Sequence, residues 1–448
     1  MGQIEIVGLG AGTLNQLPLG IYKKIIRTEK PVYVRTLDHP VIRQLQSEGV
    51  TFSSFDVTYE TYERFEEVYR EIVSDLLAAS ETESIMYAVP GHPMLAESTV
   101  KLLLEQTERE VKIAGGQSYL DDLFTTLEID PIDGFQFIDA TGFDRNQLNF
   151  RNHLIFSQIY DAFTASNVKL TLLEDLPADY RVTIVEAAGT DNEDVRVIAL
   201  EDLDRSMEIS NLTTLYVPPV PPTLQNHTFT RLREIIAALR APDGCPWDRV
   251  QTHESLREHA IEEVYEFVEA VDEEDDEGMI EELGDVLLQV MLHSQIGEDD
   301  GYFSVEDVIQ TLTEKMIHRH PHVFKDIVVD SVDDVYKNWD ELKKEEKGAT
   351  RTSIFDGIPK HLPSLLKSYK VQKKVAKETA EMGIDRLWET IDEKLTLLRS
   401  LDVDPGDIEP ILGQLLFEVV HLSRYHEINP ELALSQAVNR YMEKYEKQ

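Results

Sequence analysis

Two pairs of carboxylates at helical spacing stand out in this 448-residue chain: Glu263 with Glu266, and Glu282 with Asp285. Each pair is related as i and i+3, so both members project from one side of a helix. Around the first pair, Ile261, Val264, Val268 and Val271 fall on one side at helical spacing, and Glu262, Glu263 and Glu266 fall on the other. Alone, that is the pattern of a solvated acidic face. The second pair lies between Ile280 and His293, where Leu283, Val286, Leu287, Leu288, Val290, Met291 and Leu292 cover most of the circumference. Glu282, Asp285 and Gln289 remain as a narrow polar stripe, and this helix is expected to be largely buried. Buried carboxylates are costly unless paired or bound to a metal, and no Lys or Arg occurs in this stretch. A cation must therefore come from elsewhere. Two such helices packed face to face present four carboxylates to one cavity. Hard oxygen ligands without His or Cys favour Mg2+ or Mn2+ over zinc, and Mg2+ commonly shares its coordination with substrate phosphates.

Positive charge is scarce, with 43 Lys and Arg against 84 Asp and Glu and a formal net charge of -41. That balance repels nucleic acid and anionic lipid, so neither is an expected partner. The basic clusters are His318-Arg319-His320 with His322, Lys343-Lys344, and Lys367, Lys370, Lys373 and Lys374. The last group makes a basic helix face that suits phosphate oxygens; balance against acidic neighbours accounts for it equally well. His320 and His322 sit on a proline-containing turn without further ligands nearby, which does not make a zinc site. Trp247, between Pro246 and Asp248, is placed either to stack on a base or to anchor a helix entrance.

These residues fall within ordered motifs: Gly244-Cys245-Pro246-Trp247-Asp248, Gln251-Thr252-His253, Glu262-Glu263-x-x-Glu266, Glu281-Glu282-Leu283-Gly284-Asp285, and Arg319-His320-Pro321-His322-Val323-Phe324. Together, over about 229–374, they resemble the MazG family of nucleoside triphosphate pyrophosphohydrolases. The resemblance implies cleavage between the α- and β-phosphates of a nucleoside triphosphate, and a helical homodimer whose chains complete each other's sites. It places metal ligands at Glu263, Glu266, Glu282 and Asp285 and includes Glu262 in the motif. It favours a substrate role for Arg319, beside those open to Trp247, Lys343, Lys370 and Lys373. Metal ions there would neutralise the triphosphate and acidify a bound water, with Glu262 or Glu266 as general base. The stretch 375–448 repeats the pattern in outline, but the four ligand positions become Thr390, Glu393, Ile411 and Gln414. That copy cannot assemble the same site and is expected to be structural.

The elements that must carry these residues divide the chain. Up to Val217, β-branched runs such as Ile4 to Val7, Ile85 to Val89 and Val182 to Glu186 alternate with amphipathic stretches, an α/β rhythm. Val217-Pro218-Pro219-Val220-Pro221-Pro222 reads as a stiff linker over 218–228, and helical periodicity dominates from Phe229 onward. The expectation is a multidomain protein: an α/β domain at 1–217, an all-α domain at 229–374 and a degenerate helical unit at 375–448. The single cysteine, Cys245, excludes an internal disulfide framework. A start without a basic, apolar leader, and the lack of a membrane-length apolar run, give a cytoplasmic expectation.

In the α/β part, Gly8-Leu9-Gly10-Ala11-Gly12 fails the dinucleotide pattern because Thr13 stands where its third glycine belongs. With Tyr87-Ala88-Val89-Pro90-Gly91-His92-Pro93 and Gly115-Gly116-Gln117-Ser118, it resembles the tetrapyrrole methylase family. That implies a two-lobed fold binding S-adenosylmethionine between the lobes, with Gly10, Gly91, His92 and Pro93 at the cofactor. Ala11, Thr13 and His92 stand where relatives carry proline, aspartate and aspartate. Methyl transfer, ligand binding by a degenerate domain, and a purely dimer-holding role all stay open. So the readings are a triphosphate pyrophosphohydrolase, a tetrapyrrole methyltransferase with a helical accessory, and a non-enzymatic sensor.

Overall fold

The computed structural model describes residues 2–10, 12–62, 64–205, 210, 212–325, 331, 335, 339, 342, 353–379, 382–399 and 405–446. The chain forms two compact units, Met1–Gln295 and Ile296–Gln448.

The first unit begins with a parallel five-stranded sheet in the order β3-β2-β4-β1-β5, with β1 at Ile4–Gly8, β2 at Val32–Val34, β3 at Ser53–Ser54, β4 at Ile85–Val89 and β5 at Val111–Gly115. In β4, Ile85, Tyr87 and Val89 enter one core while Met86 and Ala88 enter the core on the opposite face. A strand covered on both faces reads as a continuous apolar run, which is why Ile85 to Val89 shows no polar alternation. A second sheet, order β6-β7-β10-β8-β9, is mixed: β6 (Phe135–Asp139) pairs in parallel with β7 (His153–Ser157). The other pairings, among β7, β8 (Arg181–Glu186), β9 (Asp194–Ala199) and β10 (Thr213–Val217), are antiparallel. Its two faces are likewise both covered, Leu154, Phe156, Val182 and Ile184 on one side and Ile155 and Val185 on the other.

The proline run is docked rather than free. Val220 is buried against the second sheet and donates its N–H to the Phe150 carbonyl at 2.7 Å, while the Tyr180 hydroxyl donates to the Pro218 carbonyl at 3.3 Å. Proline lacks a donor and cannot continue either neighbouring element, so the chain changes character here. Among the described residues no strand follows β10. Helices at Phe229–Arg240, Arg257–Asp272 and Asp276–Asp299 lead to those at Val305–Arg319, Ser364–Val375, Ile384–Arg399, Pro405–Tyr425 and Pro430–Glu446. In the second unit Leu387, Ile391 and Val420 are buried, and the Gln372 amide donates to the Phe417 carbonyl at 2.8 Å. Among the described residues, no helix is long and apolar enough to cross a membrane.

Candidate active site

The Arg257–Asp272 and Asp276–Asp299 helices bring Glu263, Glu266 and Glu282 together, each offering a carboxylate oxygen within 4.8 Å of the others. Asp285 lies outside that triplet, yet its charge reaches Glu263. Partial burial, then the charges of Asp285 and Glu266, push the Glu263 carboxyl above the ordinary carboxylate range. Glu282 is raised in the same direction by desolvation and then by Glu266, Glu281 and Asp285. Among the described residues, every charged neighbour that shifts these two groups is acidic. Glu282 Oε2 is buried and has no hydrogen-bond partner, as has Gln289 Oε1. Carboxylate oxygens without nitrogen or sulfur donors, one of them an unpartnered buried acceptor, fit a hard divalent cation. Glu262 lies outside the triplet, its Oε2 3.4 Å from His259 Nδ1. Trp247, 52% exposed, sits edge-on to the His259 ring with centroids 6.1 Å apart.

One sequence expectation is corrected. The Ile280–His293 stretch is not largely buried in the single chain: Ile280, Leu283, Leu287 and Val290 are exposed, and burial is confined to Gln289 and the end carrying Met291, Leu292 and Ile296. Ile261, Val264 and Val271, the apolar side of the preceding helix, are exposed as well. Hydropathy records which surface is apolar; covering it takes a neighbour, and a single chain does not supply one over this face.

The remaining expected residues scatter over the chain. Arg319 ends the Val305–Arg319 helix. On the Ser364–Val375 helix, Lys370 and Lys373 are exposed, whereas Lys367 donates to the Lys360 carbonyl and Lys374 to those of Ile354 and Asp356. Lys343 lies outside the described residues. The structure also pairs two residues that sequence reasoning left unconnected. His253 and His293 stack with ring centroids 5.1 Å apart and Nδ1 atoms 2.8 Å apart. The signal was available, because His293 follows Asp285 and Gln289 at steps of four and so continues the polar stripe.

In the C-terminal copy, Lys394 Nζ donates to Gln414 Oε1 at 2.9 Å, at the position in register with Asp285.

The α/β part holds a cavity of about 620 Å³ between its lobes, to which Gly10, Gly91 and His92 contribute; Pro93 is buried behind them. The loops meet backbone to backbone: Gly10 N–H donates to the Gly91 carbonyl at 3.2 Å and Gly91 N–H returns to the Gly10 carbonyl at 2.8 Å. A Cβ on Gly8 would stand 2.3 Å from the Gly91 carbonyl oxygen, and one on Gly116 would stand 2.7 Å from Gly8 Cα. Glycine is therefore required where these three loops converge. His39, not singled out from sequence, locks the arrangement: its Nδ1 accepts from Val41 N–H at 3.3 Å and its Nε2 donates to the Gly10 carbonyl at 3.0 Å.

Comparison with known proteins agrees with this division. The family model for the MazG nucleotide pyrophosphohydrolase domain matches residues 251–324, and that for Tetrapyrrole (Corrin/Porphyrin) Methylases matches residues 3–204. The chain is 48% identical to the uncharacterized protein YabN of Bacillus subtilis over 452 residues, covering 99% of this chain and 92% of that protein. It is 43% identical to the nucleoside triphosphate pyrophosphohydrolase/pyrophosphatase MazG of Thermotoga maritima over 224 residues, covering 49% of this chain and 84% of that one. Among solved structures, the uroporphyrin-III-C-methyltransferase of Thermus thermophilus matches with a TM-score of 0.39 and 19% identity, over 51% of this chain and 97% of that one. At the identity and coverage shared with the Thermotoga protein, the chain belongs to the MazG family of nucleoside triphosphate pyrophosphohydrolases, and it carries a tetrapyrrole methylase domain at its N-terminus.

Proposed function

We propose that this protein hydrolyses nucleoside triphosphates to monophosphate and pyrophosphate with Mg2+ as the metal, at the site formed by Glu263, Glu266, Glu282 and Asp285. One observation carries the reading: three carboxylates within 4.8 Å, with only acidic groups among the described residues shifting Glu263 and Glu282, and one buried oxygen unpartnered. A divalent cation bound there would neutralise the triphosphate and make a water more acidic. The side chains of Glu263, Glu266 and Glu282 would hold it, and Asp285 would add negative charge. Glu262 or Glu266 would accept the proton of the attacking water as the new bond to the α-phosphorus forms and the bond to the bridging oxygen breaks. Pyrophosphate departs with that oxygen. Trp247, exposed near the start of the first acidic helix, offers a ring face for the base. The uncovered apolar faces support a homodimer that buries them.

The test is pyrophosphate release from a panel of nucleoside triphosphates, with Mg2+, with Mn2+ and with chelator, by the native chain and by Glu263→Gln. Release that needs metal and vanishes in the variant supports the reading. Release unchanged by the variant, or none from any nucleotide, refutes it.

A second binding function is supported by the interlobe cavity. Its size and the backbone-lined Gly10 and Gly91 loops fit S-adenosylmethionine, whose binding is checked by calorimetry with S-adenosylhomocysteine.

A further inference from the structure

The family model that matches the N-terminal domain is named for porphyrin and corrin substrates, and such macrocycles commonly carry several carboxylates. A site for them needs cations to replace the water each carboxylate loses. Among the described residues, Arg35 is the only Lys or Arg lining the cavity. Its charge is already matched: Nη1 donates to Glu97 at 2.9 Å, the Glu97 side chain is 3% exposed, and Nε donates to the Tyr59 hydroxyl at 2.6 Å. His39 Nδ1 and His92 Nδ1 each accept a backbone N–H, from Val41 at 3.3 Å and Met94 at 3.1 Å, and burial of His39 holds its imidazole below the usual range. Asp38 and Asp56 also line the space, Asp38 in an exposed pair with Arg43 at 3.6 Å and Asp56 accepting the Leu37 N–H at 3.0 Å, so the formal charge of the described lining is negative. The second lobe contributes aromatic and hydroxyl groups, among them Tyr119, Phe137, Tyr160 and Ser157.

From this lining we infer that the acceptor half of the cavity takes a flat, partly aromatic molecule that is neutral or cationic, and that it rejects polycarboxylated tetrapyrroles. A carboxylate brought here meets Asp38 and Asp56 without a free cation, whereas an ammonium or hydroxyl meets favourable partners.

The experiment uses the full chain and three aromatic probes of one shape: naphthalene carrying a carboxylate, a hydroxymethyl or an aminomethyl group. Their affinities are measured by ligand-observed NMR, with uroporphyrin III followed by fluorescence in parallel. The hydroxymethyl and aminomethyl probes are expected to bind at least about tenfold more tightly than the carboxylate. Uroporphyrin III is expected not to bind, and the exposed-site variant Asp38→Lys should narrow or reverse the preference. Equal or tighter binding of the carboxylate, micromolar binding of uroporphyrin III, or binding of none of the three probes overturns the inference. Titration with S-adenosylhomocysteine is read separately: its failure counts against the cofactor reading alone, because the charge preference is measured without it.

Discussion

The two acidic-looking helix pairs of this chain meet the same electrostatic problem in opposite ways. In the first, Glu263, Glu266 and Glu282 converge, and among the described residues only desolvation and acidic neighbours act on the carboxyls of Glu263 and Glu282, pushing both up. In the C-terminal pair, Thr390, Ile411 and Gln414 occupy three of the four corresponding positions, and the Lys394 ammonium donates to Gln414. The second pair carries its own cation, Lys394; the first, on the proposed reading, takes one from solution. A site is thus marked by what its neighbours leave unsatisfied more than by the number of its acids.

The largest effect expected from that contrast is on turnover. Glu263→Gln or Glu282→Gln should lower kcat for pyrophosphate release by about 10²-fold or more, measured at saturating Mg2+, since each removes a ligand of the proposed metal. Lys394→Met should leave kcat unchanged; a comparable loss there would break the contrast. Next comes assembly: Leu287→Arg, on the exposed apolar face, should convert a dimer to monomers in light scattering and reduce activity with it. Metal should then distinguish the units thermally. Mg2+ at 100 times its dissociation constant contributes about 2.7 kcal/mol to whatever unfolds with the site. That corresponds to a rise of roughly 5–10 °C in Tm for a domain of this size. The rise should vanish in Glu263→Gln.

The smallest effect concerns the metal-free chain. The folded-state pKa of Glu263 is raised, so folding disfavours its ionised form. That penalty is absent below the ordinary carboxylate range and complete once pH exceeds the raised value. At neutral pH, Glu263→Gln should therefore raise the metal-free Tm slightly, as read by scanning calorimetry with chelator.

Much of this was legible in the residues. The i and i+3 carboxylate pairs, the change from α/β to helical periodicity after Val217, and the glycine-bearing loops at Gly8, Gly91 and Gly116 depend on local spacing and backbone sterics, which sequence records directly. The expected burial of the Ile280–His293 helix did not follow, because an apolar circumference states a demand for cover without saying what meets it. The His253–His293 stack and the seat of His39 under Gly10 join residues 40 and 29 positions apart, which only tertiary packing makes neighbours.

By itself, then, the sequence determined the fold classes, the order of the domains and the four carboxylates that could share a metal. Only the tertiary structure decided that three of them meet within 4.8 Å, that Lys394 reaches Gln414 in the degenerate copy, and that Arg35, Asp38 and Asp56 line one interlobe cavity. Charge and hydrogen-bond balance are properties of groups brought together through space, and no local pattern encodes the sum.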